Sequence, residues 1–175
     1  MVNDQRLAFS RKWWQRTNCD DDPFDRFFCL WISLIVAARR KVDEESLQPE
    51  RETDSGLVKA YFMANCAEVV SVLQRQLEVL ARVAEQRCPR GGGTGELAST
   101  RSVRPGIRRL AIELLSKDRP PDSELASRAA ELVNRARNNL FHGRKLYDDR
   151  EDLELLEAVN PIVSDILAIC ERFID

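Results

Sequence analysis

The run FFCLWISLIVAA at residues 27–38 most constrains what this chain can fold into. Ser33 is its only polar residue, so the segment has to leave water almost entirely. A membrane span needs about 20 such residues, and this run is closed by Asp25 and Arg26 before it and by Arg39 and Arg40 after it. It therefore reads as a helix at the centre of a protein core. The preceding "DDDPF" supplies acidic residues and places Pro23 in a first turn, where its missing N–H costs nothing, so a helix is predicted from there to about residue 41.

The rest of the sequence can be organised around that helix. No segment shows sustained period-two alternation, and almost all show helical spacing of apolar residues, which predicts an all-α fold. With 175 residues, 43% of them hydrophobic, one core is expected. The amphipathic stretch 4–16, carrying Trp13 and Trp14, forms an N-terminal helical extension over 1–22, followed by a single helical domain over 23–175. Acidic DEESLQPERETDS at 43–55 reads as a linker. Helical sequence resumes from 57 to about 87, with a break near Asn65, where an N-cap could start a second helix.

CPRGGGTGELAST at 88–100 opens a glycine-rich, flexible connection over about 88–104. It does not suit nucleotide phosphates, because no strand precedes it and Gly95 is followed by Glu96 and Leu97 rather than by Lys and Ser or Thr. A short helix over 108–117 ends at "DRPPDS". Ser123 then caps a helix reaching about His142, with Gly143 where a C-terminal glycine is expected. The last helix covers 151–174, with Pro161 predicted to kink it.

Charge narrows the partners. Acids and bases nearly cancel, to a formal net charge of -2, so attraction for nucleic acid must come from a local patch. Arg128, Arg135, Arg137, Arg144 and Lys145 form one basic stretch, with Glu131 as its only acid. A second basic stretch covers 101–119; the two together offer a cleft for a nucleic-acid backbone, and the plainer reading of the second is a solvated charged face with no ligand. The five cysteines are scattered without a C-x-x-C pair, which predicts reduced thiols in a cytoplasmic protein rather than a disulfide framework or a zinc site. No metal, cofactor or membrane partner is expected.

The chain's single histidine lies in RNNLFHGRK, residues 137–145. On a helical wheel, Arg137, Asn138, Phe141 and His142 fall within an arc of roughly 140°, opposite the apolar stripe of Leu125, Ala129, Leu132, Val133 and Ala136. That arc is exposed in an isolated subunit and predicts a covering partner. A plainer reading is that histidine and arginine in a last turn complement the negative end of the helix dipole.

Arg137-Asn-Asn-Leu-Phe-His142-Gly143 resembles the R-x4-6-H signature of the HEPN superfamily, small helical domains of toxins, defence systems and RNA-processing factors. FDRFFCLWISLIVAA is similar to the early helix of its Apea-like subgroup, and REDLELLEAVNPIVSDILAICERF to the closing helix. The resemblance implies a HEPN-like bundle that pairs as a two-fold homodimer. It also implies a metal-independent endoribonuclease in which Arg137 and His142 of both subunits share one cleft, with Asn138 at the polar position after the arginine. Asn138, Arg144 and Lys145 are the expected substrate contacts, and an antitoxin or regulatory protein is an expected partner. Members paired with a nucleotidyltransferase antitoxin often carry a tyrosine two residues after the histidine; here that position is Arg144, and the nearest tyrosine is Tyr147. The alternative is a non-catalytic dimerisation module that binds RNA or protein.

These residue types suit metal-free RNA cleavage. Imidazole, with an unperturbed pKa of about 6.5, can take and return a proton near neutral pH. Guanidinium keeps its charge and pairs with phosphate oxygens. One histidine per chain cannot be both acid and base at one bond, so two subunits are needed.

Overall fold

In the computed structural model, the described residues are 2–19, 22–85, 103–141 and 150–173. Among them there are eight α-helices and no strand: α1 (Val2–Arg16), α2 (Pro23–Glu45), α3 (Asp54–Ala64), α4 (Cys66–Arg75), α5 (Leu77–Glu85), α6 (Val103–Leu115), α7 (Asp122–Phe141) and α8 (Arg150–Cys170), with a 3-10 turn at Thr17–Cys19. No single helix among the described residues is long and apolar enough to cross a membrane.

α2 starts where the sequence predicts. The Asp22 carboxylate accepts from the backbone N–H of Phe24 at 2.7 Å and of Asp25 at 3.4 Å, with Pro23 in the first turn. The helix runs past residue 41 to Glu45 because Arg40–Glu44 and Lys41–Glu45 pairs, four residues apart, support its last turn. It packs against α1, α3 and α8. Phe27, Leu30, Leu34, Ala37 and Ala38 are almost completely buried. Phe28 stays on the surface.

The N-terminal helix packs along α2 as part of the same bundle. Ser10 and Ser33 lie fully buried at their crossing, where the Ser33 hydroxyl donates to the Ser10 carbonyl at 2.9 Å. Small side chains there let the two backbones approach closely. Farther along α1, the Trp14 indole donates to Ser164 of α8, and its ring centre lies 5.4 Å from that of Phe173. Arg11 donates to the carbonyls of Arg172 and Phe173.

Those contacts pin the end of α8. Arg172 adopts a left-handed φ of 52°, the Phe173 N–H bonds back to Ala168 O, and the Arg172 N–H bonds to Ile169 O. This is a Schellman ending at a residue other than glycine. α8 continues through Pro161, and beside it the buried Asn160 amide donates to Pro23 O at 2.9 Å, tying α8 to the start of α2.

The break near Asn65 is present, but the side chain does not cap α4. Its amide donates to Tyr61 O at 2.8 Å, and α3 and α4 meet at 88°. α7 begins at Asp122, one residue ahead of the predicted cap Ser123, which lies inside the first turn. α6 begins at Val103 and packs on α5 and α7. The glycine-rich 88–100 stretch and Gly143 lie outside the described residues.

One buried polar cluster joins α2, α3 and the end of α8. Glu171, its side chain only 1% exposed, accepts 2.7 Å from the Tyr61 hydroxyl and pairs at 2.5 Å with Arg40, which also holds Glu44. Burial and the Glu171 charge push the Tyr61 phenol well above its ordinary range. Burial, with Glu68 and Glu171 nearby, pushes the Cys170 thiol up to about 12. Burial acts to lower Arg40, but its pairs with Glu171 and Glu44 outweigh it and raise the guanidinium. Both carboxylate oxygens of Glu171 are engaged, one by Arg40 and one by Tyr61, and the cluster reads as a tie between helices.

Candidate functional site

The buried face of α7, including Leu125, Ala129, Ala130, Val133 and Ala136, fixes the rotation of the helix on the core. Arg137 follows that face in the last turns of the helix. Its guanidinium carbon lies 5.6 Å from the ring centre of Trp31 in α2. Trp31 is 7% exposed and stacks on Phe27, the ring planes 24° apart. A guanidinium held against an indole in this way gains about 1 kcal/mol.

Two polar groups flank the same guanidinium. Nη1 donates to Asn138 Oδ1 at 3.0 Å, and Nη2 lies 4.0 Å from Asp54 Oδ2, in the first turn of α3. One turn earlier on α7, Asn134 donates to the Ser55 carbonyl at 3.4 Å. The N-terminus of α3 is thus docked on α7 beside Arg137. Thr53 caps that N-terminus by accepting from the Gly56 N–H at 3.2 Å. Gly56 is required there, since a Cβ on it would fall 2.1 Å from Arg51 O.

The wheel places Arg137 on an uncovered side, and the structure modifies this. Its side chain is one-third exposed, because the long stem leans back across the helix to Trp31. Asn138 is exposed as expected. His142, Arg144 and Lys145 lie outside the described residues, as does the side chain of Phe141. Trp31 and Asp54 are additions that sequence reasoning did not attach to the site. Trp31 reads as packing and Asp54 as linker, and no local motif joins either to Arg137.

The two basic stretches meet in part. α6 and α7 place Arg109, Arg128 and Arg135 around one groove of about 530 Å³. Its charge is not uniformly basic. Arg128 pairs with both Glu113 and Glu124, Arg109 donates to Glu113 at 2.8 Å, and Glu131 lines the groove as well. Three glutamates therefore oppose three arginines, and the Arg128–Glu113 pair ties α6 to α7 in a groove whose arginines are largely neutralised.

The tryptophans divide. Trp14 and Trp31 are packing residues, whereas Trp13 is half-buried beside the surface rings of Phe9 and Phe28. Among the described residues, no group of three or more His, Cys, Asp or Glu is placed to hold a metal ion. No family model matches the chain, and neither a curated protein nor a solved structure matches it.

Proposed function

We propose that the chain is a HEPN-type, metal-independent endoribonuclease, acting as a homodimer and serving as a toxin or defence effector restrained by a partner protein or ligand. The observation that carries this reading is the presentation of Arg137. Its guanidinium rests on an indole at the end of α7, five residues before the chain's only histidine in an R-x4-H motif. The helical fold is compatible with it.

In the proposed reaction, one His142 imidazole removes the proton from a ribose 2′-hydroxyl, and the oxygen attacks the adjacent phosphorus. The bond to the 5′-oxygen breaks, and a protonated imidazole from the second subunit supplies the leaving group's proton. The products are a 2′,3′-cyclic phosphate and a 5′-hydroxyl, with no net oxidation or added co-reactant. Arg137 offsets the extra charge of the phosphorane, and Asn138, Arg144 and Lys145 hold the flanking backbone.

Incubation of the purified chain with single-stranded RNA in EDTA tests this. Cleavage leaving cyclic phosphate ends, abolished in His142→Ala, supports the ribonuclease. A second reading, the non-catalytic binding module, draws on the engagement of Arg137 by Trp31 and Asp54 of its own chain, which suits a structural role. Equal RNA binding by wild type and His142→Ala, with cleavage by neither, favours the module.

A further inference from the structure

We propose that Asp54 is a positioning residue for Arg137, its carboxylate standing at the guanidinium edge that a substrate phosphate takes over. The inference rests on the ribonuclease reading above. A guanidinium offers its face to an aromatic ring and its edge N–H groups to anions. Here Trp31 takes the face, and Asp54 Oδ2 lies 4.0 Å from Nη2 at the edge. Carboxylate and phosphodiester oxygens are acceptors of the same kind for that edge, so the carboxylate marks where an anion is received.

The contact is built to be exchanged. A charge-assisted hydrogen bond closes to about 2.7–2.9 Å, and this separation is longer. The Asp54 side chain is 49% exposed and that of Arg137 33%, so water screens their attraction. The backbone beneath Asp54, in contrast, is held independently of the ion pair. Thr53 caps α3, Asn134 of α7 holds the Ser55 carbonyl, and Gly56 packs under Arg51 O. Asp54 therefore faces Arg137 because α3 is docked there. It orients the guanidinium and opposes an incoming polyanion until phosphate replaces it.

Binding of a labelled single-stranded 2′-O-methyl oligoribonucleotide, which lacks the attacking hydroxyl, isolates this step. Asp54→Asn and Asp54→Ser are expected to bind about two- to fivefold tighter than wild type, the range of an exposed ion pair. With cleavable RNA, the change falls mainly on KM. In an Arg137→Gln background the gain disappears, because Asp54 acts through that arginine. A purely structural role for Asp54 at the α3 N-terminus would lower the melting temperature and would not tighten RNA binding. Wild-type cleavage with unchanged or weaker binding by both Asp54 variants overturns the inference alone, as does a gain that persists in Arg137→Gln. A wild-type chain that neither binds nor cleaves RNA overturns the ribonuclease reading and this inference together.

Discussion

Arg137 of α7 lies over the face of Trp31 of α2, its guanidinium carbon 5.6 Å from the ring centre, so a residue of the hydrophobic core also serves as the seat of a cation. Trp31→Leu keeps an apolar side chain but removes the aromatic face, and Trp31→Phe keeps a smaller one. RNA cleavage is expected to fall about fivefold in Trp31→Leu, the loss of about 1 kcal/mol of cation–π attraction, and to fall less in Trp31→Phe. Initial rates measured well below each variant's melting temperature check this. Equal losses in both variants would assign Trp31 to packing alone.

Glu171 is the buried anion on which α2, α3 and α8 converge. Glu171→Gln leaves the Arg40 guanidinium, 15% exposed, with Glu44 as its remaining carboxylate partner, and weakens the bond from Tyr61. A loss of about 2–4 kcal/mol is expected, towards the low end for a broken buried pair because Glu44 remains. Urea denaturation measures it, and a loss below about 0.5 kcal/mol would show that the cluster holds little.

Alkaline stability should depend on Cys170. Its folded thiol is pushed up to about 12, against about 8.5 in an unfolded chain. Below about pH 8.5 both states keep the proton, and the contribution to stability is full. As pH rises from about 8.5 to 12, the unfolded chain loses the proton while the folded chain retains it, so stability falls by up to about 1.4 kcal/mol per unit. Cys170→Ala is expected to flatten this limb in urea titrations at several pH values. An unchanged slope contradicts the assignment.

Gly56→Ala probes the approach of the 46–53 segment to α3. The new methyl would meet Arg51 O, a backbone atom, and the segment would have to move. A loss of about 1–3 kcal/mol in denaturant is expected. Because Asp54 shares this turn, RNA binding is expected to change as well. A variant as stable as wild type would mean that the segment yields freely.

The start of α2 was legible because its determinants are local: Asp22 caps, Pro23 follows, and the apolar run begins. The bend at Asn65 was legible in place but not in mechanism, since its amide turns back to Tyr61 O. The break at Gln76 carries no glycine or proline; its side chain instead reaches Asp165 of α8, a tertiary contact invisible to local pattern. The left-handed Arg172 is similar, held by Arg11 and by the burial of Phe173 rather than by a glycine. At the site, Arg137 could be read from a seven-residue motif. Trp31 and Asp54 could not, because folding brings them in from distant stretches that read as core and linker.

In the proposed dimer, two copies of His142 serve one scissile bond. Co-refolding wild-type chain with a ninefold excess of His142→Ala tests it most directly, because random pairing places nearly every wild-type subunit beside a mutant. A shared site predicts that RNA cleavage per wild-type subunit falls about tenfold, following the fraction of wild-type subunits whose partner is also wild type. Cleavage per wild-type subunit that stays constant across the mixture would mean that each His142 acts without the other.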